Sequence, residues 1–291
     1  MVFESIINPP KAEQHPLRVF LLGGFYATIG ILLSMWIFWQ WSSLVMVFLT
    51  VLACLPLFYN TLRYEEKKDK EIHDELKLLK QHFKAILFMV TLFFGFVLAF
   101  ALWYLVLPEA KVLHAFEAQS ATIKSINSAT GSAVSFQTFM RIFSNNMRVL
   151  FFCIFFSFFY GSGAIFILAW NASVIGTAIG NLARRGLEKL ALKAGMLGIG
   201  GYFHVISLSL LRYLTHGVFE ILGYFVGGLA GGIISVAVIR HDFGSEEFNH
   251  IMADALDLLI IGIAILFIGA VIEVYVTPVL FHAAGAHNLF G

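Results

Sequence analysis

A chain of 291 residues in which 59% are hydrophobic and only 13% charged is not an ordinary soluble domain, where about a quarter of the residues carry charge. The formal net charge of +1 gives no basis for a nucleic-acid partner. The two cysteines, Cys54 and Cys153, both fall in apolar runs and read as small packing residues, not a disulfide or a metal pair. Charge-free runs cover residues 19–62, 85–108, 149–183 and 194–211, and about 20 apolar residues suffice to cross a bilayer core as a helix. The composition therefore predicts an all-α, polytopic transmembrane bundle of six to seven spans.

The N-terminal "MVFESIINPPKAEQHPLR" lacks a compact basic region, and no small-residue cleavage site follows the next apolar run. That run reads as a retained span, with the N-terminus in the cytoplasm. Residues 19–62 are long enough for two spans, and "WQWSS" at 39–43 marks the turn between them, with tryptophans at the interface. Residues 63–84 carry seven Lys/Arg and six Asp/Glu. Within them Ile72, Leu76, Leu79 and Phe83 form an apolar stripe on a charged amphipathic helix, fit to lean on the membrane or a neighbouring subunit. Residues 1–84 thus read as a hairpin plus charged helix, and 85–291 as a membrane core.

After the third span, residues 109–145 are Ser/Thr/Asn-rich with three Lys/Arg, whereas residues 184–193 hold four Lys/Arg in ten. The positive-inside rule places 63–84 and 184–193 in the cytoplasm and the 109–145 segment outside as a loop. That arrangement requires an odd number of crossings between 146 and 183: one full span plus a short or re-entrant element, broken near Gly161–Gly163 or at Asn171. Glycines then crowd the chain, and Gly223/Gly227, Gly227/Gly231 and Gly228/Gly232 have the GxxxG spacing that lets helix backbones approach. The last span is expected over 257–277, ended by Pro278, with the tail outside.

Inside the apolar stretch "LRYLTHGVFEILGYFVGGLAGG", Arg212, His216 and Glu220 are spaced four apart and share one helix face. A second intramembrane carboxylate, Glu273, lies on the last span. Charged groups at membrane depth cost at least about 2.5–3.5 kcal/mol each, so they face protein or water and mark function. A depth count relates the two acids. Glu220 is 20 residues from Arg240 and Glu273 is 16 from Asp257, or roughly 30 Å and 24 Å along antiparallel helices. Both then lie near one membrane face, with a helix start near Thr215 offering free N–H groups at the same level. Three readings of the cluster stay open: a structural polar network, a proton or substrate path, and a divalent metal site such as zinc. In the last, His216, Glu220 and Glu273 would be ligands, with His204 or His282 as a fourth. No H-E-x-x-H or G-x-S-x-G motif is present, which disfavours an enzyme and leaves an intramembrane hydrolase as the third reading, after a scaffold and a proton- or metal-dependent transporter or channel.

"HGVFE" at 216–220, the glycine-rich span after it and "IEVYVTP" at 272–278 resemble the stage II sporulation protein M family. Upstream, "SNNMR" at 144–148 and "AWNASVIG" at 169–176 resemble that family's paired-Asn start and Asn-containing helix, with Ala172 where a glycine is common. The resemblance covers roughly residues 83–278. It implies His216, Glu220 and Glu273 as signature positions, with Asn145, Asn146 and Asn171 as family-like polar positions, and fixes no chemical role for them. In spore formers it implies a membrane complex with cell-wall hydrolases. Carried to this chain, it implies a cell-membrane scaffold or transport-like core, homo-oligomeric and open to membrane-protein partners.

Overall fold

The computed structural model describes residues 15–71, 75–130, 136–160, 164–194, 199–239 and 244–283. A few side chains inside these helices, Arg212 among them, lie outside the described set. In chain order the elements are α1 (Pro16–Ile37), a 3-10 turn (Trp39–Trp41), α2 (Ser42–Glu71), α3 (Glu75–Val106), α4 (Glu109–Ala115) and α5 (Glu117–Thr130). Then follow α6 (Phe136–Tyr160), α7 (Ala164–Ala194), α8 (Ile199–Ile239), α9 (Glu246–Val271), a π-turn (Ile272–Val276) and α10 (Thr277–Ala283). Seven helical stretches are long and apolar enough to cross a membrane, beginning at Pro16, Trp39, Gln81, Phe136, Ala164, Gly200 and Phe248. An all-α bundle is what a lipid solvent demands of an apolar chain, because each helix satisfies its own backbone.

Helix packing in lipid gains little from apolar burial and relies on close backbone approach. At the α1–α3 crossing a side chain on Gly95 would run into Phe20 O and the backbone of Gly24, and one on Gly23 into Leu92 O. The 1–84 segment is thus seated directly on the core through α1. On the other side of α3, a Cβ at Gly176 of α7 would lie 2.7 Å from Phe100 Cβ, and one at Gly180 2.7 Å from Tyr104 Cβ. Gly176 meets residues 97–101 and Gly180 meets Tyr104, so α3 and α7 run parallel.

Arg184, one turn further along α7, closes this contact. Its guanidinium donates to Tyr104 O (2.6 Å), Leu105 O (3.1 Å) and Leu107 O (2.7 Å), and it stands 5.4 Å from the centre of the Tyr104 ring. A fixed cation on the unpaired carbonyls at a helix C-terminus meets both their hydrogen bonding and the negative end of the dipole. At the other end of α3, buried His82 Nδ1 lies 2.9 Å from Glu65 Oε2 of α2.

These two contacts correct the charge-based topology. From His82 to Val106, α3 rises about 36 Å, more than the roughly 30 Å of a bilayer core. Glu65 and His82 therefore lie at one end of the bundle and Arg184 at the other, not together. The single span with a re-entrant element between 146 and 183 is likewise replaced by two long helices, α6 and α7, with Asn171 inside α7. The 109–145 segment is helical, built of α4, α5 and the first turns of α6, and is not an irregular loop over its described residues. The apolar stripe falls largely outside the described side chains: only Phe83 is described, and it is exposed. Cys54 and Cys153 are buried free thiols. The last span begins well before Asp257, with Ser245 capping α9 by accepting from Phe248 N–H at 3.0 Å.

Two outcomes follow from this arrangement. Single cysteines replacing Lys84 and Lys189, both exposed, should react with an impermeant thiol reagent from opposite faces of the membrane; labelling from the same face contradicts the parallel packing of α3 and α7. Arg184→Ala removes three charge-assisted bonds to carbonyls. It should lower unfolding stability in detergent by about 1.5–3 kcal/mol, and Arg184→Lys should recover part of that, since all three bonds leave the single nitrogen Nη2 and an ammonium also offers several donors from one atom.

Candidate functional site

The polar residues singled out in the sequence come together from four elements. Asn145 and Asn146 on α6, Asn171 on α7, His216 and Glu220 on α8, and Glu273 in the π-turn all line one cavity of about 300 Å³. Ile123 of α5, Arg141 of α6, and Tyr213 and Tyr224 of α8 complete the part of its wall that matters chemically.

Helix α8 sets the frame. It runs unbroken for 41 residues, so the helix start expected near Thr215 does not exist. His216 and Glu220 are mid-helix, one turn apart, and no free N–H groups are supplied there. Further along, α8 is tightly held: Gly223 packs on Gly262 and Leu266 of α9, Gly227 on Leu150, and Gly231 on Ile154 of α6. At Gly217 an added Cβ would meet nothing within 4 Å, although the residue is buried. The cavity lies where the tight glycine seam gives way to open space.

Glu220 Oε1 accepts from Asn146 Nδ2 at 2.7 Å, and Asn146 Oδ1 accepts from the Tyr224 hydroxyl at 2.8 Å. A carboxylate only accepts and a phenol readily donates, so the amide of Asn146 has one consistent orientation between them. Asn146 and Tyr224 are each 3% exposed, and this arm is therefore anchored deep in protein. The Glu220 and Glu273 carboxyl groups stand against each other. His216 Nε2 lies 4.0 Å from Glu273 Oε1, and His216 Nδ1 lies 3.4 Å from the Thr277 hydroxyl. The whole forms a polar chain from Tyr224 through Asn146, Glu220, Glu273 and His216 to Thr277.

Glu273 owes its place to the π-turn. Pro278 has no N–H to donate, and its ring crowds the carbonyl four residues back, so the last turn before it widens. Thr277 N–H bonds to Ile272 O, five residues away, and the Thr277 hydroxyl donates to the same oxygen at 3.2 Å. Single π-turns inside α-helices recur at functional sites. Here the turn presents Glu273 and Thr277 to the same imidazole.

Asn171 donates its amide to Ile167 O at 2.8 Å and reaches the cavity as part of its wall. The Arg212 side chain lies outside the described residues, so its place in the cluster is not described. His204 and His282 are exposed and are not among the residues lining the cavity. Among the described residues no three His, Cys, Asp or Glu side chains converge as a group able to hold a metal ion. Sequence reasoning missed Tyr224, which sits four residues beyond the carboxylate it serves through Asn146, and gave Thr277 no role beyond its place in the motif at 272–278.

The Tyr224–Asn146–Glu220 arm has a measurable signature. Asn146→Leu strips two partners at once and leaves the Tyr224 hydroxyl buried without an acceptor, at a cost of about 1–3 kcal/mol for that group alone. Adding Tyr224→Phe to Asn146→Leu should therefore raise stability relative to Asn146→Leu, whereas Tyr224→Phe in the native chain should lower it by about 0.5–1.5 kcal/mol. Unfolding of the four proteins in detergent reads the sign change, and simple additivity of the two substitutions is the contrary result.

Comparison with known proteins places this geometry. Over 143 residues the chain is 28% identical to an uncharacterized protein of Methanocaldococcus jannaschii, a match covering 48% of this chain and 71% of the relative. No solved structure matches it. The family model described as stage II sporulation protein M matches residues 84–278, a span that holds every described polar residue of the cavity wall. By that match the chain is an integral membrane protein belonging to the stage II sporulation protein M family.

Proposed function

We propose that the chain is a proton-linked transport or permeation component of the cell membrane, with the cavity as its solute site and the Glu220/Glu273/His216 group as its proton exchanger. One observation carries this reading: nine polar residues from four elements line about 300 Å³ of space within the bundle. A network kept only to fix helix register has no need of that space, because interiors pack to crystal-like density. Paired carboxyls and an imidazole also gain and lose protons together, as proton relays within membranes require.

The charge-rich end at residues 63–84 faces the cytoplasm in this reading. It carries seven Lys/Arg against four at 184–193, and one of those four, Arg184, is engaged by the end of α3. A second reading, a scaffold within a homo-oligomer or a mixed membrane complex, draws on α6. There Phe151, Phe152 and Phe155 are exposed in a row, a surface for lipid or for a neighbouring subunit.

The test is flux. Purified protein in vesicles loaded with a pH-sensitive dye should dissipate an imposed proton gradient, while Glu273→Gln and Glu220→Gln should fall to the level of protein-free vesicles with unchanged gel-filtration profiles. Native protein indistinguishable from empty vesicles overturns the transport reading, and full flux in both variants removes the carboxylates from it.

A further inference from the structure

The cavity has a cover that the family signature does not mention. Helix α5 supplies Ile123 to the cavity wall, and one turn earlier it inserts Gln119, which is fully buried. The Gln119 amide donates to Ser43 O of α2 at 2.8 Å and to the Ser173 hydroxyl of α7 at 3.2 Å. Ser173 stands beside Val174 and Ile175, both in the cavity wall. The geometry points to α5 as a hinged cover of the cavity, held shut by the Gln119 amide.

The two short helices before the cavity are fixed by different physics. Helix α4 is held by apolar burial: Val112, Ala115 and Phe116 are at most 2% exposed, and Phe116 meets the Tyr104 ring edge-on at 5.3 Å. His114 adds a 2.7 Å bond to Trp39 O and stacks on the Trp39 ring. Among the described side chains of helix α5 only Gln119 is buried, and Ser120 adds a polar contact to Tyr104 of α3.

Between them Phe116 leaves helical geometry, with φ −115° and ψ 23°, so the chain bends at one residue. A segment with few buried apolar contacts opens at low cost, while its neighbour stays in place.

The closure is also incomplete. Gln119 Oε1 is buried and accepts no hydrogen bond. A buried acceptor without a partner costs about 1–3 kcal/mol, and that penalty is relieved when α5 lifts and water reaches the amide. The seated position of α5 is thus held by the two Gln119 hydrogen bonds and the Ser120 contact and weakened by one unmet acceptor, the balance expected of a cover that moves. This inference rests on the cavity and not on what crosses it.

Access can be read directly on the full chain in detergent. Ala178 lines the cavity and is 5% exposed, so Ala178→Cys is a small change that reports entry of a charged thiol reagent; the native chain, whose two cysteines are buried, is the blank. Gln119→Ala in that background should speed labelling about tenfold, the effect of losing roughly one net hydrogen bond from the shut state. Should Gln119→Ala not yield monodisperse protein, Ser173→Ala removes one of the two anchors and carries the same expectation of faster labelling. Equal rates with the anchor intact and removed overturn the cover. Because the assay reads access and not flux, its failure is separate from failure of the transport reading.

Discussion

Two carboxyl groups, Glu220 and Glu273, have to be kept from hydrocarbon, and the core of the bundle is arranged around that requirement. Each would cost at least about 2.5–3.5 kcal/mol if it faced lipid at depth. Each is met by a different device. Glu220 is held by an amide that is itself fixed by a fully enclosed tyrosine. Glu273 is turned inward by a widened helical turn, which a proline imposes on a helix that would otherwise carry it elsewhere. The residues that serve these acids come from α6, α8 and the start of α10, and Glu273 itself sits in the π-turn that continues α9. These segments therefore cannot slide past one another without exposing a charge.

The same helices meet through glycines, and the two facts belong together. Hydrogen bonds of 2.7–2.8 Å between side chains on α6 and α8 require the helix axes to be close. Gly227 and Gly231, the residues one and two turns beyond the site, permit that approach against Leu150 and Ile154. On the opposite side Gly269 faces Glu220, where a Cβ would lie 3.5 Å from the Glu220 Cγ. The seam brings the acids within reach, and the space around Gly217 keeps the region beside them from filling. Tight packing on one side and open volume on the other are what a polar cavity within lipid needs: fixed groups, and room next to them.

Much of this was legible in the sequence, because apolar length is a local property. Charge-free runs give the class and the range of spans, and an imidazole or carboxylate within such a run is conspicuous without any structure. His216, Glu220 and Glu273 stand out for that reason. Tyr224 does not, since hydroxyls are common in membrane helices, and only its spacing of four from Glu220 distinguishes it; Thr277 is legible only as part of the motif at 272–278. The topology was not legible for another reason. The charge rule weighs each connecting segment alone, whereas the charge of Arg184 is engaged by the carbonyls of a helix nearly 80 residues earlier in the chain. Gln119 was hidden more completely, as one amide in a polar segment that composition presents as an outside loop. Its burial depends on where α4 is pinned, which no local pattern encodes.

Both the cavity and its cover leave polar capacity unmet in this state, and that bears on why the site exists. A network built for stability alone would pair every buried group and close every void, since an unpaired acceptor and an empty space each lower stability. Here an amide oxygen of the cover is buried without a donor, and the carboxyl chain borders volume large enough for several waters. The contrast lies within the same molecule. Arg184 meets three carbonyls at once, and the α1–α3 crossing leaves no space for a methyl group. Among the described residues Ser42, Ser157 and Ser235 also bury a hydroxyl without a partner, so an unmet polar atom alone does not mark the site. What sets the cavity apart is that ionisable groups meet open volume there, which is where a change of occupant alters the free energy most.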